Sequence, residues 1–123
     1  MADNSLHKKE RLKSRKYIDM LFSDGESAYK YPIKCVYLRE QDIDVPVKAA
    51  FTVPKRVFKR AVDRNLLKRR LRESYRTNKH LIPLKKSDQE KGIILMLIYV
   101  SKDIENSTVI EKSMIQLLQQ IKP

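Results

Sequence analysis

The sequence predicts a small α+β or α/β sandwich in which helices cover one sheet, and three observations carry that reading. Ile93 to Val100 is a nearly continuous apolar run, which implies a strand buried on both faces in the middle of a sheet. Ile33, Cys35 and Tyr37 alternate with Lys34, Val36 and Leu38 in a stretch rich in β-formers, the pattern of a further strand. Ile110, Met114, Leu117, Leu118 and Ile121 recur at helical spacing and give an apolar stripe that packs on such a sheet. With 123 residues, 41% of them hydrophobic, the chain builds an ordinary core as a single domain over residues 1–123, and no repeat or linker divides it.

The elements follow in order. Residues 1–13 are polar, with Lys8, Lys9, Arg11 and Lys13, and are expected to form a flexible basic arm. Ser14 is placed to cap a short helix carrying Ile18, Leu21 and Phe22 on one face, stopped at Asp24-Gly25. Ile33–Leu38 and Val45–Val53 are expected to pair as a hairpin across an acidic turn at Glu40–Asp44, and Pro46 marks the second strand as an edge or a bulge. Pro54 ends that strand. From Ala61 to the residue before Pro83 there is neither Gly nor Pro, and Leu, Lys, Arg and Glu dominate, so a long helix is expected. Leu81–Lys91 reads as a polar loop, where solvation accounts for the acidic pair Asp88/Glu90. Thr108-Val109-Ile110-Glu111 matches a capping box for the last helix.

Charge is concentrated in residues 54–76. Ten bases (Lys55, Arg56, Lys59, Arg60, Arg64, Lys68, Arg69, Arg70, Arg72 and Arg76) stand there against Asp63 and Glu73, so this segment holds +8 of the formal net charge of +12. At about 100° per residue, Leu67, Leu71 and Ser74 fall on one side of the helix, with Leu66 at its edge. Asn65, Lys68, Arg69, Arg72 and Arg76 fall within roughly a 100° arc on the other side. A solvated helix alternates signs to gain i,i+4 pairs, whereas Arg64, Lys68 and Arg72 are cations at i,i+4 of one another. That spacing is repulsive unless a polyanion lies against it, and nucleic acid is the polyanion a small basic domain most often meets. Arginine grips phosphate with a planar fork, and asparagine donates and accepts at a base edge or a 2′-hydroxyl.

Several classes are disfavoured. His7, His80 and Cys35 are scattered, so no metal site and no nucleophile with a positioned base is expected, and no catalytic residue is assigned. With only Gly25 and Gly92, there is no Gly-rich phosphate loop. The longest apolar run is too short to span a membrane, the N-terminus lacks a signal-peptide core, and a single cysteine fits a reducing cytoplasm.

The run Ala61-Val62-Asp63-Arg64-Asn65-Leu66-Leu67-Lys68-Arg69-Arg70-Leu71-Arg72-Glu73, preceded by Val53-Pro54-Lys55-Arg56, resembles the signature of the bacterial ribonuclease P protein subunit. That pattern is Ala-Val-x-Arg-Asn-x-x-Lys-Arg-x-x-Arg-Glu after Val-x-Lys-Lys/Arg. Arg11-Leu12 in the basic arm and Phe22-Ser23-Asp24-Gly25 at the end of the first helix agree with it too. The resemblance implies an αβββαβα fold with a central four-stranded sheet and a left-handed βαβ crossover through the basic helix, a hand that general topology rules disfavour. It implies an accessory subunit that binds a catalytic RNA and the 5′ leader of precursor tRNA while that RNA removes the leader with Mg²⁺. Arg64, Asn65, Lys68, Arg69 and Arg72 are then the helix residues at the RNA, supported by Lys55, Arg56, Lys59 and Arg60 from the preceding loop and by Arg11. Ile18, Phe22, Lys34 and Val36 line the expected leader cleft. A monomer is the expected free state.

Three departures from the family pattern are visible: Leu66 replaces the third residue of the usual Arg-Asn-Arg core, Ile18 is aliphatic where many members carry an aromatic, and the loop Val57-Phe58-Lys59-Arg60 lacks the usual Gly. The alternative reading is a structural RNA binder such as a ribosomal protein, which explains the charge but not the motif spacing. A self-sufficient nuclease would need metal ligands that the sequence does not show. A helix-turn-helix DNA binder would need a helix at turn distance before Ala61.

Overall fold

The computed structural model describes residues 8–85 and 91–122. In chain order its elements are α1 (Arg15–Asp24), β1 (Glu26–Lys30), β2 (Ile33–Gln41), β3 (Val47–Thr52), α2 (Ala61–Asn78), β4 (Gly92–Tyr99) and α3 (Ser107–Gln120). One four-stranded sheet is formed in the order β1-β2-β4-β3. β4 is central because both of its faces are apolar: Ile93, Leu95, Leu97 and Tyr99 enter one core, and Ile94, Met96 and Ile98 enter the other. The first core lies under α2 and α3, which contribute Leu67, Leu71, Tyr75, Ile110, Met114, Leu117 and Leu118. The second, smaller core lies under α1 and gathers Leu12, Leu21 and Val36 with Ile18 and Leu38 packed at its margin.

The strand pairing differs from the expected hairpin. β2 pairs antiparallel with β1 and with β4, whereas β3 runs parallel to β4 on its other side, so Ile33–Leu38 and Val45–Val53 are not neighbours. The cause is β4, whose double-sided burial is satisfied only between two partners. β3–α2–β4 is therefore a βαβ crossover joining parallel neighbours, and β3 is an edge strand, as Pro46 suggested. β1 was not legible as a strand because only Ala28 of its five residues packs on the core. β2 runs through the expected acidic turn as far as Gln41, with a register shift at Glu40, whose φ of 60° is the left-handed conformation of a bulge.

Smaller corrections concern helix ends. Ser14 precedes α1 but makes no side-chain cap bond. Gly25 ends α1 with φ −70°, not in the left-handed region; a Cβ there would lie 2.4 Å from the Leu21 carbonyl oxygen and 2.7 Å from Val36. Close approach of α1 to β2, not backbone freedom, is what asks for glycine at this position. α3 is capped by Asn106, whose side-chain oxygen accepts from the Val109 N–H at 2.9 Å, two residues before the expected Thr108. Tyr99 favours that choice: its hydroxyl donates to the Asp103 carbonyl (2.6 Å) and accepts from the Glu105 N–H (2.9 Å), so the chain leading into the helix is already set.

The arm expected to be flexible through residue 13 is tied down over Lys8–Leu12. Leu12 is buried and its N–H donates to the Ala49 carbonyl at 2.8 Å, while Arg11 bridges Ala49 in parallel sense. The Glu10 carboxylate meets Lys79 at 2.9 Å at the end of α2. An edge strand offers unpaired backbone groups, and Leu12 supplies an apolar side chain to go with them. Residues 1–7 of the arm and the Asp88/Glu90 pair lie outside the described residues.

Two buried acids make the fold sensitive to high pH. Burial pushes the Cys35 thiol up to about 12 and raises the buried Tyr75 phenol as well. The unfolded chain loses these protons first, so their contribution is intact below the ordinary thiol range and is lost as pH rises towards 12. Stability in urea is expected to fall above pH ~9 by about 1.4 kcal/mol per pH unit for each group ionised only in the unfolded chain. Cys35→Ala is expected to remove the part that begins first; a pH dependence unchanged in that variant would contradict the assignment.

Candidate nucleic-acid interface

α2 is the element on which the charge is displayed. Leu67, Leu71 and Ser74 are buried as the helical wheel requires, and Leu66 is half-buried at the edge. Tyr75 completes the stripe, fully buried and packed edge-on against Phe51 with ring centroids 5.5 Å apart. Sequence reasoning missed it, although its position four residues after Leu71 is the signal that finds it. Asp63 sits in the first turn, where a carboxylate complements the positive end of the helix dipole.

Beside that stripe and away from Leu67, Asn65, Lys68, Arg69 and Arg72 are brought together around one surface depression of about 560 Å³, with Val62 and Leu66 among them. Asn65, Arg69 and Arg72 are exposed and Lys68 is partly so. Lys55, Arg56, Lys59 and Arg60 are all exposed on the loop before α2. That loop is anchored from within: Phe58 is buried against Tyr99 at a centroid distance of 5.7 Å, and the Val57 and Phe58 N–H groups donate to the Pro54 carbonyl. Burying Phe58 turns its charged neighbours outward. The loop and the first three turns of α2 thus both present exposed cations.

Arg64 does not stand with this group. Its guanidinium donates to the Phe58 carbonyl at 2.8 Å and the Lys59 carbonyl at 2.9 Å, clipping the loop to the start of the helix. At about 100° per residue, Arg64 falls near Leu71 and Tyr75 and outside the arc that holds Asn65, Lys68, Arg69 and Arg72, so the wheel already carries this distinction. Arg64 acts on the basic loop from below. Arg64→Ala is expected to leave α2 folded but to loosen the loop, seen as faster amide exchange in the loop than in the body of α2; equal protection in both would contradict the clip. Arg70 is likewise engaged, donating to the Glu105 carbonyl at 2.7 Å across to the segment before α3. Arg76 pairs with Glu73, and that hydrogen bond holds the Glu73 carboxyl below its ordinary range.

The second cluster of expected residues lies on the opposite face of the sheet. Val36 is buried as floor, and Ile18 is half-buried beside it in the α1 core. Phe22 is 63% exposed, so it is not a core residue, and Lys34 is exposed on β2. Tyr29 on β1 lies opposite Lys34 and is also largely exposed, an aromatic on the same sheet face that sequence reasoning passed over because β1 itself was not recognised. Arg11 is exposed beside the β3 edge. The α1 face thus offers two exposed aromatics, Phe22 and Tyr29, and the exposed Lys34, with a buried apolar floor.

Among the described residues, no three His, Cys, Asp or Glu side chains gather to hold a metal ion, and no helix is long and apolar enough to cross a membrane. What the surface can do chemically is hold phosphates on α2 and stack or cradle unpaired bases beside α1.

Comparison with known proteins gives a consistent picture. The family model described as Ribonuclease P matches residues 6–122. A ribonuclease P protein component from Porphyromonas gingivalis is 33% identical over 110 residues, which cover 89% of this chain and 80% of that protein. One from Chlorobaculum tepidum is 32% identical over 83 residues, 64% of this chain and 54% of that protein. Among solved structures, the ribonuclease P protein of Thermotoga maritima superposes with a TM-score of 0.73 at 25% identity, covering 93% of this chain and 99% of that one. The Staphylococcus aureus protein shares the fold, with a TM-score of 0.70 at 22% identity over 89% of this chain and 92% of that one.

Proposed function

The chain belongs to the ribonuclease P protein family, and from that premise we propose that its α2 face binds the RNA subunit while its α1 face holds the 5′ leader of precursor tRNA. It is a tRNA-processing subunit, part of an endoribonuclease holoenzyme whose other component is an RNA. In this proposal the RNA carries out the hydrolysis, and the protein contributes binding, orientation and charge. The observation that carries it is the separation of two unlike surfaces on opposite sides of one sheet: a cationic helix face suited to a folded RNA backbone, and an aromatic-bearing face suited to a single strand.

Lys68, Arg69 and Arg72, with Lys55, Arg56, Lys59 and Arg60, are assigned to RNA phosphates; Asn65 is assigned to a base edge or 2′-hydroxyl. Arg64 serves by holding the loop in place. Phe22 and Lys34 are assigned to the leader, as stacking surface and phosphate partner, over the floor made by Val36 and Ile18. Arg11, at the β3 edge, is assigned to RNA as well. Mg²⁺, which supports cleavage by stabilising charge on the reacting phosphate, is assigned to RNA oxygens, since it favours phosphate and water ligands over all-protein cages. The protein's own part is to neutralise neighbouring phosphates, which lowers the metal demand. The cytoplasm is the proposed compartment.

The test is the affinity of the RNA–protein complex for precursor against mature tRNA. Phe22→Ala is expected to weaken precursor binding about five- to twentyfold, the loss of one base–aromatic stack, and to leave mature tRNA binding within twofold. Equal losses for both substrates would remove Phe22 and its face from leader binding.

A further inference from the structure

The strand register carries one row of side chains across all four strands on the α1 side of the sheet. Tyr29 on β1 is paired with Lys34 on β2, Lys34 with Ile98 on β4, and Ile98 with Thr52 on β3. Paired residues of neighbouring strands share a face, so these four stand side by side on the face that carries Val36 and Met96, two residues away along β2 and β4. At about 4.8 Å per strand the row is roughly 14 Å long. α1 is held over the other end of the sheet. A Cβ on Gly25 would lie 2.7 Å from Val36, and the Tyr17 hydroxyl donates to the Asp42 carbonyl, just beyond β2, at 3.0 Å. The row is left open: Tyr29 is 58% exposed, Lys34 is exposed, and Ile98 and Thr52 are half-buried.

The row has the composition that a single RNA strand needs. Tyr29 offers a ring on which any base stacks, Lys34 a cation for a phosphate, Ile98 an apolar floor and Thr52 a hydroxyl. None of the four is acidic, so nothing within the row repels phosphate. A tyrosine on an edge strand is ordinary as a β-former, but this one ends a row whose far side is cationic. Thr52 is the last residue of β3, and the basic loop with the exposed Lys55 and Arg56 follows it. That loop leads into α2, the face assigned to the RNA subunit, whereas β1 is the opposite edge of the sheet. Four-stranded sheets of RNA-recognition modules stack two or three bases on an open face of this kind.

We propose that Tyr29 is a second stacking residue for the 5′ leader, holding a base upstream of the nucleotides beside the cleavage site. The leader passes from the basic loop over Thr52 and Ile98, places a phosphate at Lys34, and ends its contact with the sheet on the Tyr29 ring. This deepens the assignment of the α1 face to the leader and rests on it. Because β1 lies three strands away from β3, Tyr29 meets only leaders long enough to cross the sheet. Leader length is thus read at the β1 edge.

The experiment uses the full chain in complex with a bacterial ribonuclease P RNA. It compares affinities for mature tRNA and for precursors with leaders of one or eight nucleotides. Tyr29→Ala is expected to weaken binding of the long-leader precursor about five- to twentyfold, the loss of one base–aromatic stack. The short-leader precursor and mature tRNA are expected to stay within about twofold. Tyr29→Phe keeps the ring and is expected to bind all three like the unaltered chain. An unaffected long-leader precursor, equal losses for all three ligands, or a Tyr29→Phe variant as weak as Tyr29→Ala would overturn the inference. A leader-specific loss in Phe22→Ala alone would then leave the α1 face as the leader site. No leader-specific loss in either the Phe22 or the Tyr29 variant would overturn both.

Discussion

Lys68→Ala/Arg72→Ala is expected to weaken binding to the ribonuclease P RNA by roughly 25- to 60-fold at 0.1 M salt, counted from a 1 M reference where counterion release contributes nothing. The same variant is expected to flatten the dependence of log K on log salt by about 1.4–1.8, because each lost phosphate contact releases about 0.7–0.9 of a counterion. The domain stays folded, since Arg72 is exposed and Lys68 is only partly buried at the margin of the α2 stripe. An unchanged slope in the double variant would remove this face from the interface, whatever happens to affinity. These two side chains are preferred to Arg64 as probes because Arg64 holds the Phe58 and Lys59 carbonyls, so its loss acts on the loop as well as on charge.

The second large effect is on stability. Leu67→Ala is expected to cost about 2–5 kcal/mol, the range for truncating a leucine whose site cannot collapse around the gap. Leu67 is fully buried, and it belongs to the core that joins α2 to the sheet and to α3. Leu66→Ala, one residue earlier and only half-buried, is the control and is expected to cost substantially less. Urea denaturation of the two variants checks this, and equal costs would mean that the apolar stripe of α2 is misassigned. Since Leu67 faces away from the cationic surface, the folded fraction of Leu67→Ala retains the salt slope of the unaltered chain.

What was legible in the sequence was what repeats within a few residues. α2 and α3 announce themselves by spacing, and the double-sided burial of Ile93–Val100 by its apolar continuity. The pairing of the strands was not legible, because β2 and β3 both alternate acceptably and the strand that separates them arrives some forty residues later. β1 carries no hydrophobic signal: Glu26, Ser27, Tyr29 and Lys30 are all exposed, so nothing in its composition distinguishes it from a loop. Of the site, the cationic face of α2 was readable as a face, and the wheel even separates Arg64 from it. That Arg64 would spend its guanidinium on loop carbonyls depends on the turn made by residues 54–60, which no local pattern reports. Phe22 is the converse case: its spacing with Ile18 and Leu21 suits a core stripe equally well, and only its exposure shows that it is available to a ligand.

In the proposed function this chain assists an RNA that performs the cleavage. Its most direct test is 5′-leader removal from a precursor tRNA at low Mg²⁺, comparing protein alone, a bacterial ribonuclease P RNA alone, and the two combined. Efficient cleavage only in the combined reaction is the predicted result. Cleavage by the protein alone, or no stimulation over the RNA alone despite tight binding, would contradict it.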